Sequence, residues 1–467
     1  MERDTNFLKT VCNIALPVTL QSMLQSSFSV VDQIMIGQLG STSIAAIGLA
    51  GKFSSIFSVV VSAVAAVAGI MIAQYMGKKD EKEVNRSFSI NLAVALGLAV
   101  LFTLICAVFA TPVMGLYTTD IDTKLVAAEY LQIMAFTFLP IAGVTLLSTM
   151  LRCMEKASLP LYASIIALLV NTGLNYVLIF GKFGFASLGV KGAAIATAIA
   201  QMANFIFMLV AFIWVYAKQG KKFEFSIKLD AVRGRQYLGM LLPILVTEFL
   251  WSLGENVYAA IYGHMGTAEC AAMTLTGPIQ GLLIGALSGL AQAAGILIGK
   301  DLGKKEYDRA YWKAKKLMVY GLVGSLILSA LLIWLSRYYV GIYQVEDNVR
   351  EIGIQLLTVF AIVAPVKVLN MILGGGIIRS GGKTKYVMWI DTSGTWGFGV
   401  PLGLLAAFVL NLSIPYVYFI LSMEECYRLL VSLVVFRRKN WMQSLKGQEE
   451  VTKGQESVTK GQEAVVS

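Results

Sequence analysis

The chain has 467 residues, of which 57% are hydrophobic and 14% charged, and its mean hydropathy is +0.71; a soluble domain carries about 25% charge, so a soluble fold is excluded. The net charge of +10 is no nucleic-acid signal, because the basic residues sit in short loops between apolar runs. Cys12, Cys106, Cys153, Cys270 and Cys426 are scattered, with no CxxC or Cys/His cluster, which argues against both a zinc site and a disulfide framework.

In chain order, the opening MERDTNFLKT is too charged for a cleavable signal peptide. Apolar runs then predict spans near 12–36, 44–75, 86–110, 126–151, 160–181, 190–216, 237–262, 270–299, 314–336, 352–378, 386–410 and 413–436. Each is long enough to cross a bilayer as a helix of about 20 residues, and the weak alternation of an outer-membrane barrel is absent. The expected fold is an all-α polytopic membrane protein of twelve transmembrane helices in two pseudo-symmetric six-helix lobes. The N-lobe is 1–216, a cytoplasmic linker 217–236, the C-lobe 237–440, and a disordered cytoplasmic tail 441–467. The KGQE repeats of that tail recur every seven residues but offer only Val as an apolar position, too little for a coiled-coil seam.

Two lobes follow from an internal duplication. Leu16–Gly40 returns from Leu242 at a gapless offset of 226, which lays Pro17 on Pro243, Gly69 on Gly295 and Gly77-Lys78-Lys79 on Gly303-Lys304-Lys305. About 20 of the 64 positions from 16 to 79 are identical. Six spans per copy is an even number, so the copies are parallel, related by an axis along the membrane normal. Lys78, Lys79, Arg86, Arg152, Lys156, Lys300, Lys304, Lys305, Arg379 and Lys383 fall on one side, against Lys124, Lys182, Lys191, Arg337 and Arg350 on the other. Both termini are therefore expected in the cytoplasm. Arg152–Lys156 and Arg379–Lys383 form a second echo at offset 227, read as interfacial anchors in preference to a transport role.

Functional candidates are the ionisable residues inside spans, since each is costly there. Asp32 lies on the first span and faces Tyr258 in the other repeat; Glu248 and Glu255 replace Ser22 and Ser29; Asp391 is on the eleventh span. Glu248, Trp251 and Glu255 share a helix face, and an acid beside an aromatic suits a cation. Lys367 and Lys52 are read as counter-ions, and Glu424 with Arg428 as a structural i,i+4 pair. Gly281, Gly285 and Gly289 predict close helix packing. Gly374-Gly375-Gly376 is either a hinge or a packing device. His264 is read as a solvated loop residue. No phosphate-binding loop of the GxxxxGK[ST] type is present, so ATP is not expected to drive the protein.

The set VVDQIMIGQLG, AAIG, Gly77-Lys78-Lys79, Asn171-Thr-Gly-Leu-Asn175 and Gly192-Ala-Ala-Ile-Ala-Thr197 resembles the MATE (multidrug and toxic compound extrusion) transporters, over residues 10 to about 440. That resemblance implies two lobes around a cavity of alternating access and export of organic cations in exchange for Na+ or H+. It also implies a first-lobe ion site at Asp32, Asn171, Asn175 and Thr197, which would ligate the metal ion if sodium is the coupling ion. Many relatives carry Asp where this chain has Asn175, so Asp32 is the only acid of that set. The expected substrate cavity lies between the lobes, with acids for charge and aromatics for shape: Glu248, Trp251, Glu255 and Asp391.

The resulting expectation is a secondary antiporter for hydrophobic organic cations in the cytoplasmic membrane. It is monomeric, surrounded by lipid, without cofactor beyond the coupling ion, and without ATP or nucleic acid as partners. One rival is a lipid-linked oligosaccharide flippase, which would line its cavity with Arg and Lys. Another is an integral membrane enzyme, for which no His, Cys or paired-acid constellation is visible.

Overall fold

A computed structural model describes residues 2–39, 41–220, 223–227, 231–342 and 345–445. Twelve continuous helices are found among them: α1 (Glu2–Gly37), α2 (Ser41–Lys78), α3 (Glu81–Gly115), α4 (Ile121–Cys153), α5 (Ser158–Phe180) and α6 (Gly189–Lys218), then α7 (Ala231–Met265), α8 (Thr267–Gly303), α9 (Tyr307–Gly341), α10 (Asp347–Ile378), α11 (Thr384–Val409) and α12 (Ile414–Arg437). They match the expected spans one for one. Eleven are long and apolar enough to cross a membrane. The exception, α12, carries Glu424, Glu425 and Arg428 within its length.

Lipid tails are as apolar as leucine, so helices in a bilayer associate through close packing of small residues. The structure follows that rule where the lobes meet, with α1 and α2 both packing on α8. A Cβ at Gly289 would strike the carbonyl of Ala15 and the Thr19 hydroxyl, and one at Gly285 would touch Ser22. Thr19 Oγ1 donates to the Ala286 carbonyl at 3.0 Å across the same contact. The expected packing role of the glycine series thus holds for Gly285 and Gly289, while Gly281 has open space beside it. Ser55, Val59 and Ala63 stand at the equivalent α2 positions, so the seam is asymmetric in its chemistry.

At the end of the bundle that carries the Gly-Lys-Lys turns, which we call the basic end, the duplication becomes geometry. Gly77 lies against the Lys300 carbonyl and Gly303 against the Gln74 carbonyl, a reciprocal pair at the 226-residue offset. Both helices then stop the same way, with Lys79 at φ 59° and its counterpart Lys305 at φ 62°. The backbone N–H of the next residue returns to a carbonyl one turn back, Asp80 to Tyr75 and Glu306 to Asp301. An ion pair from Lys300 to Glu155, 2.6 Å, ties the lobes beside it.

The last described residues close this end. Trp441 is fully buried, its Nε1 donates to the Phe436 carbonyl at 3.2 Å, and its ring stacks on Phe436. Gln74 on α2 donates to the carbonyls of Ser380 (2.6 Å) and Gln443 (3.2 Å), and its Oε1 accepts from Leu445 N at 2.7 Å. Ordered chain therefore runs past the expected tail boundary at 441, because a tryptophan and a leucine find a pocket there. The linker is likewise shorter than expected, since α6 reaches Lys218 and α7 begins at Ala231. Removing residues 446–467 is predicted to leave the melting temperature unchanged. Removing 441–467 should lower it, with a cost of about 3 kcal/mol from the buried indole alone; equal melting curves for the two truncations would count against this packing.

Candidate functional site

Among the described residues the N-lobe holds a neutral polar site. Asn171 and Asn175, one turn apart on α5, meet Thr197 on α6. Asn175 Nδ2 donates to Asn171 Oδ1 at 3.1 Å, Asn171 Nδ2 donates to Thr197 Oγ1 at 3.2 Å, and Thr197 Oγ1 donates to the Ala193 carbonyl. Three of the four residues of the expected ion site are thus brought together; the side chain of Asp32, on α1, lies outside the described residues. The oxygens present are the hard donors that sodium takes, and Asn171 Oδ1 and Thr197 Oγ1 are each engaged by a neighbour. Asn171 and Thr197 line a cavity of about 760 Å³ together with Gln25, Gln201 and Asn204. The buried Asn204 Oδ1 has no hydrogen-bond partner. Gln201 and Asn204 continue from Thr197 at helical spacing along α6, a polar stripe legible in an otherwise apolar helix.

The C-lobe holds charge instead. Tyr258 donates to Glu424 Oε2 at 2.6 Å, and Arg428 pairs with Glu424 at 3.5 Å and Glu425 at 3.8 Å. Asn370 Nδ2 donates to Glu425 Oε2 at 2.8 Å, and Arg428 also donates to Thr395 Oγ1. Lys367 interacts electrostatically with Glu425, Glu255 and Glu424, and Asp391 with Arg428 and Arg379. Glu424, Glu425 and Arg428 are buried, while Glu255 is exposed at the edge of the group. The counter-ion reading of Lys367 fits this placement; Lys52 is exposed on α2. Glu424 and Arg428 are an i,i+4 pair as expected, but in the lobe interior, joined to a network.

Glycines make that network possible. A Cβ at Gly394 would fall 2.6 Å from the Arg428 side chain, and one at Gly399 would overlap Tyr258 and the Glu424 carboxylate. Both lie in the Ser393–Gly399 stretch of α11, which is wound as a π-helix, a form frequent at functional sites. Of the remaining candidates, Glu248 pairs with Arg379 at 3.5 Å. Trp251 is half exposed on α7 and His264 is exposed at its end. Gly374, Gly375 and Gly376 lie within a second π-helical stretch, Met371–Ile378, and a Cβ on Gly376 would meet the Ala291 carbonyl at 2.6 Å. Among the described residues no group of three His, Cys, Asp or Glu has the placement to hold a metal ion.

A two-lobed bundle of membrane-crossing helices, with a polar site inside each lobe and a close-packed seam between them, is the architecture of a membrane transporter. The chain belongs to the MATE family: the family model MatE matches residues 17–177 and again 243–405, once in each lobe. It is similar to the "Uncharacterized transporter YisQ" of Bacillus subtilis (strain 168), 24% identical over 91% of this chain and 93% of that protein. It is also similar to the "Probable multidrug resistance protein YoeA" of the same organism, 26% identical over 85% of each. A solved structure of a MATE protein in complex with MaL6 superposes with a TM-score of 0.84 over 93% of this chain and 96% of that one, at 16% identity, a likeness of fold alone.

Removing one partner of a buried ionic network strands the others, at about 3–5 kcal/mol. Arg428→Met should therefore destabilise the C-lobe strongly in a detergent melting assay. Adding Glu425→Gln to it should recover part of the loss; no recovery would mean the two groups are not coupled.

Proposed function

We propose that this chain is a secondary antiporter that exports hydrophobic organic cations from the cytoplasm in exchange for Na+ or H+. It would work as a monomer in the cytoplasmic membrane, with both termini and the basic end inside. The observation that carries the reading is a surplus of acid. Among the described residues Glu248, Glu255, Asp391, Glu424 and Glu425 face Lys367, Arg379 and Arg428 in the C-lobe network. Two carboxylates more than cations inside a membrane domain are sustained by bound protons or a bound cation, and a group that exchanges these is what ion coupling requires.

Asp32 is the proposed coupling acid of the N-lobe, with Asn171, Asn175 and Thr197 offering oxygens to the same ion. Glu248, Trp251, Glu255 and Asp391 are proposed to attract the cationic part of the substrate. Exchange of one monovalent cation for another moves no net charge, so the membrane potential of about 2.3 kcal/mol per charge per 100 mV cancels. A tenfold ion gradient then supplies about 1.4 kcal/mol. A lipid-linked oligosaccharide is the second substrate reading, because Arg152 and Arg379 line the cavity between the lobes.

In proteoliposomes, an imposed sodium or proton gradient should drive ethidium uptake against its gradient. Asp32→Asn should abolish that uptake, and Asn171→Ala should weaken it less. Full gradient-driven accumulation by Asp32→Asn would remove Asp32 from the mechanism, and no accumulation by the wild type under either gradient would remove the antiporter reading itself.

A further inference from the structure

The seam at the basic end is tied at two places related by the duplication. Gln74 on α2 and Lys300 on α8 are counterparts at the 226-residue offset. Each reaches across to a turn of the other lobe. Lys300 Nζ donates to Glu155, just past α4, at 2.6 Å, and Gln74 Nε2 donates to the Ser380 carbonyl, just past α10, at 2.6 Å. Those turns are counterparts too, at the offset of 227 that lays Glu155 on Gly382. Both residues are left-handed, at φ 62° and 74°. One turn therefore carries a carboxylate that answers the opposite lobe, and the other carries no side chain there.

The end of the described chain fills that place. Lys439, at φ 58°, turns the chain off α12. The Trp441 carbonyl lies where a Cβ on Gly381 would be, and Leu445 Cδ2 lies 3.3 Å from where one on Gly382 would be. From this position the strap offers its backbone to α2. The Gln443 carbonyl accepts from Gln74 Nε2 at 3.2 Å, Leu445 N donates to Gln74 Oε1 at 2.7 Å, and the Leu445 carbonyl accepts from Lys78 Nζ. Gln74 is fully buried beneath it. The root of the strap is held by the C-lobe, through the Trp441 indole on Phe436. Its grip is on the N-lobe. Backbone groups of the strap thus do on one side of the axis what Glu155 does on the other.

We propose that residues 441–445 are a latch on the basic end. Rooted in the C-lobe by Trp441, the strap holds α2 while this end is shut and releases Gln74 and Lys78 when the lobes part. A contact made in one state only shifts the population toward that state. The latch rests on the alternating access of the antiporter reading above. It adds a control that lies outside the helices: the strength of the hold is set by the chain end, and changing it leaves the packing of α2 on α8 untouched.

Double electron–electron resonance between nitroxides on Lys82→Cys and Asp308→Cys reads the width of this end, since both positions are exposed and are counterparts at the starts of α3 and α9. With the five native cysteines replaced, the protein in lipid nanodiscs with ethidium should show a short and a long distance. Deleting 446–467 should leave their ratio unchanged. Deleting 443–467, which keeps Trp441, should raise the long-to-short ratio about tenfold, the scale of a net hydrogen bond or two. Leu445→Pro in the full chain removes the N–H that Gln74 accepts. It should raise the ratio about threefold, and it stands in should the truncated chain fail to fold. An unchanged ratio in either folded variant overturns the latch while leaving alternating access in place. A shift equally large on deleting 446–467 would assign the effect to the residues beyond the strap and overturn it as well. A single short distance in every variant, with and without ethidium, overturns both readings.

Discussion

A backbone carbonyl resting where a side chain should be holds the two lobes together. The Lys300 carbonyl occupies that space at Gly77, and the Gln74 carbonyl occupies it at Gly303. Because the lobes are copies related by an axis through this point, one favourable contact is made twice. Neither lipid nor water fits between the helices, and any side chain at either glycine would wedge them apart. Such a contact is either made or broken, with no stable half-way state, which suits a seam that must exist in two discrete arrangements. Around it the chain adds hydrogen bonds and an ion pair: Gln74 to Ser380, Gln443 and Leu445, and Lys300 to Glu155. Polar bonds of this kind can be exchanged for water when that end opens, at little net cost.

Duplication set the frame, and divergence within it supplied the chemistry. Among the described residues the N-lobe site is built of amides and hydroxyls, Asn171, Asn175 and Thr197, and the C-lobe site of ions, Lys367, Glu424, Glu425 and Arg428. Arg152 and Arg379 break that pattern, because they stayed alike in both copies. A charge kept in both repeats at the seam belongs to what the two lobes do together, whereas a charge present in one lobe belongs to that lobe alone.

Much of this was legible in the sequence. Twelve spans, the six-plus-six division and the family followed from apolar runs, a gapless repeat and a motif set. The tight approach at Gly289 was announced by a three-glycine series, and the Asn171–Asn175 pairing by a spacing of four. Other features were not legible, for physical reasons. Glu424 and Arg428 read as a structural i,i+4 pair and nothing more, because nothing local reveals that Tyr258, 166 residues earlier, donates to that glutamate. Arg152 looked like an anchor because its position at a helix end fixes depth, not the direction in which the side chain turns. Trp441 followed the last span by only a few residues and read as tail; its burial depends on Gly381 and Phe436 leaving room, which is a tertiary fact.

The seam also offers the most direct measurement. A Cβ on Gly299 would lie 3.0 Å from that of Ala73, its counterpart across the axis, close to the separation of about 3.5–4.5 Å found in disulfides. In a background with the five native cysteines replaced, Ala73→Cys with Gly299→Cys should cross-link fully on mild oxidation. If access alternates by parting α2 from α8, gradient-driven ethidium accumulation in proteoliposomes should vanish in the oxidised protein and return on reduction. Undiminished accumulation by the fully cross-linked protein would contradict transport through this seam.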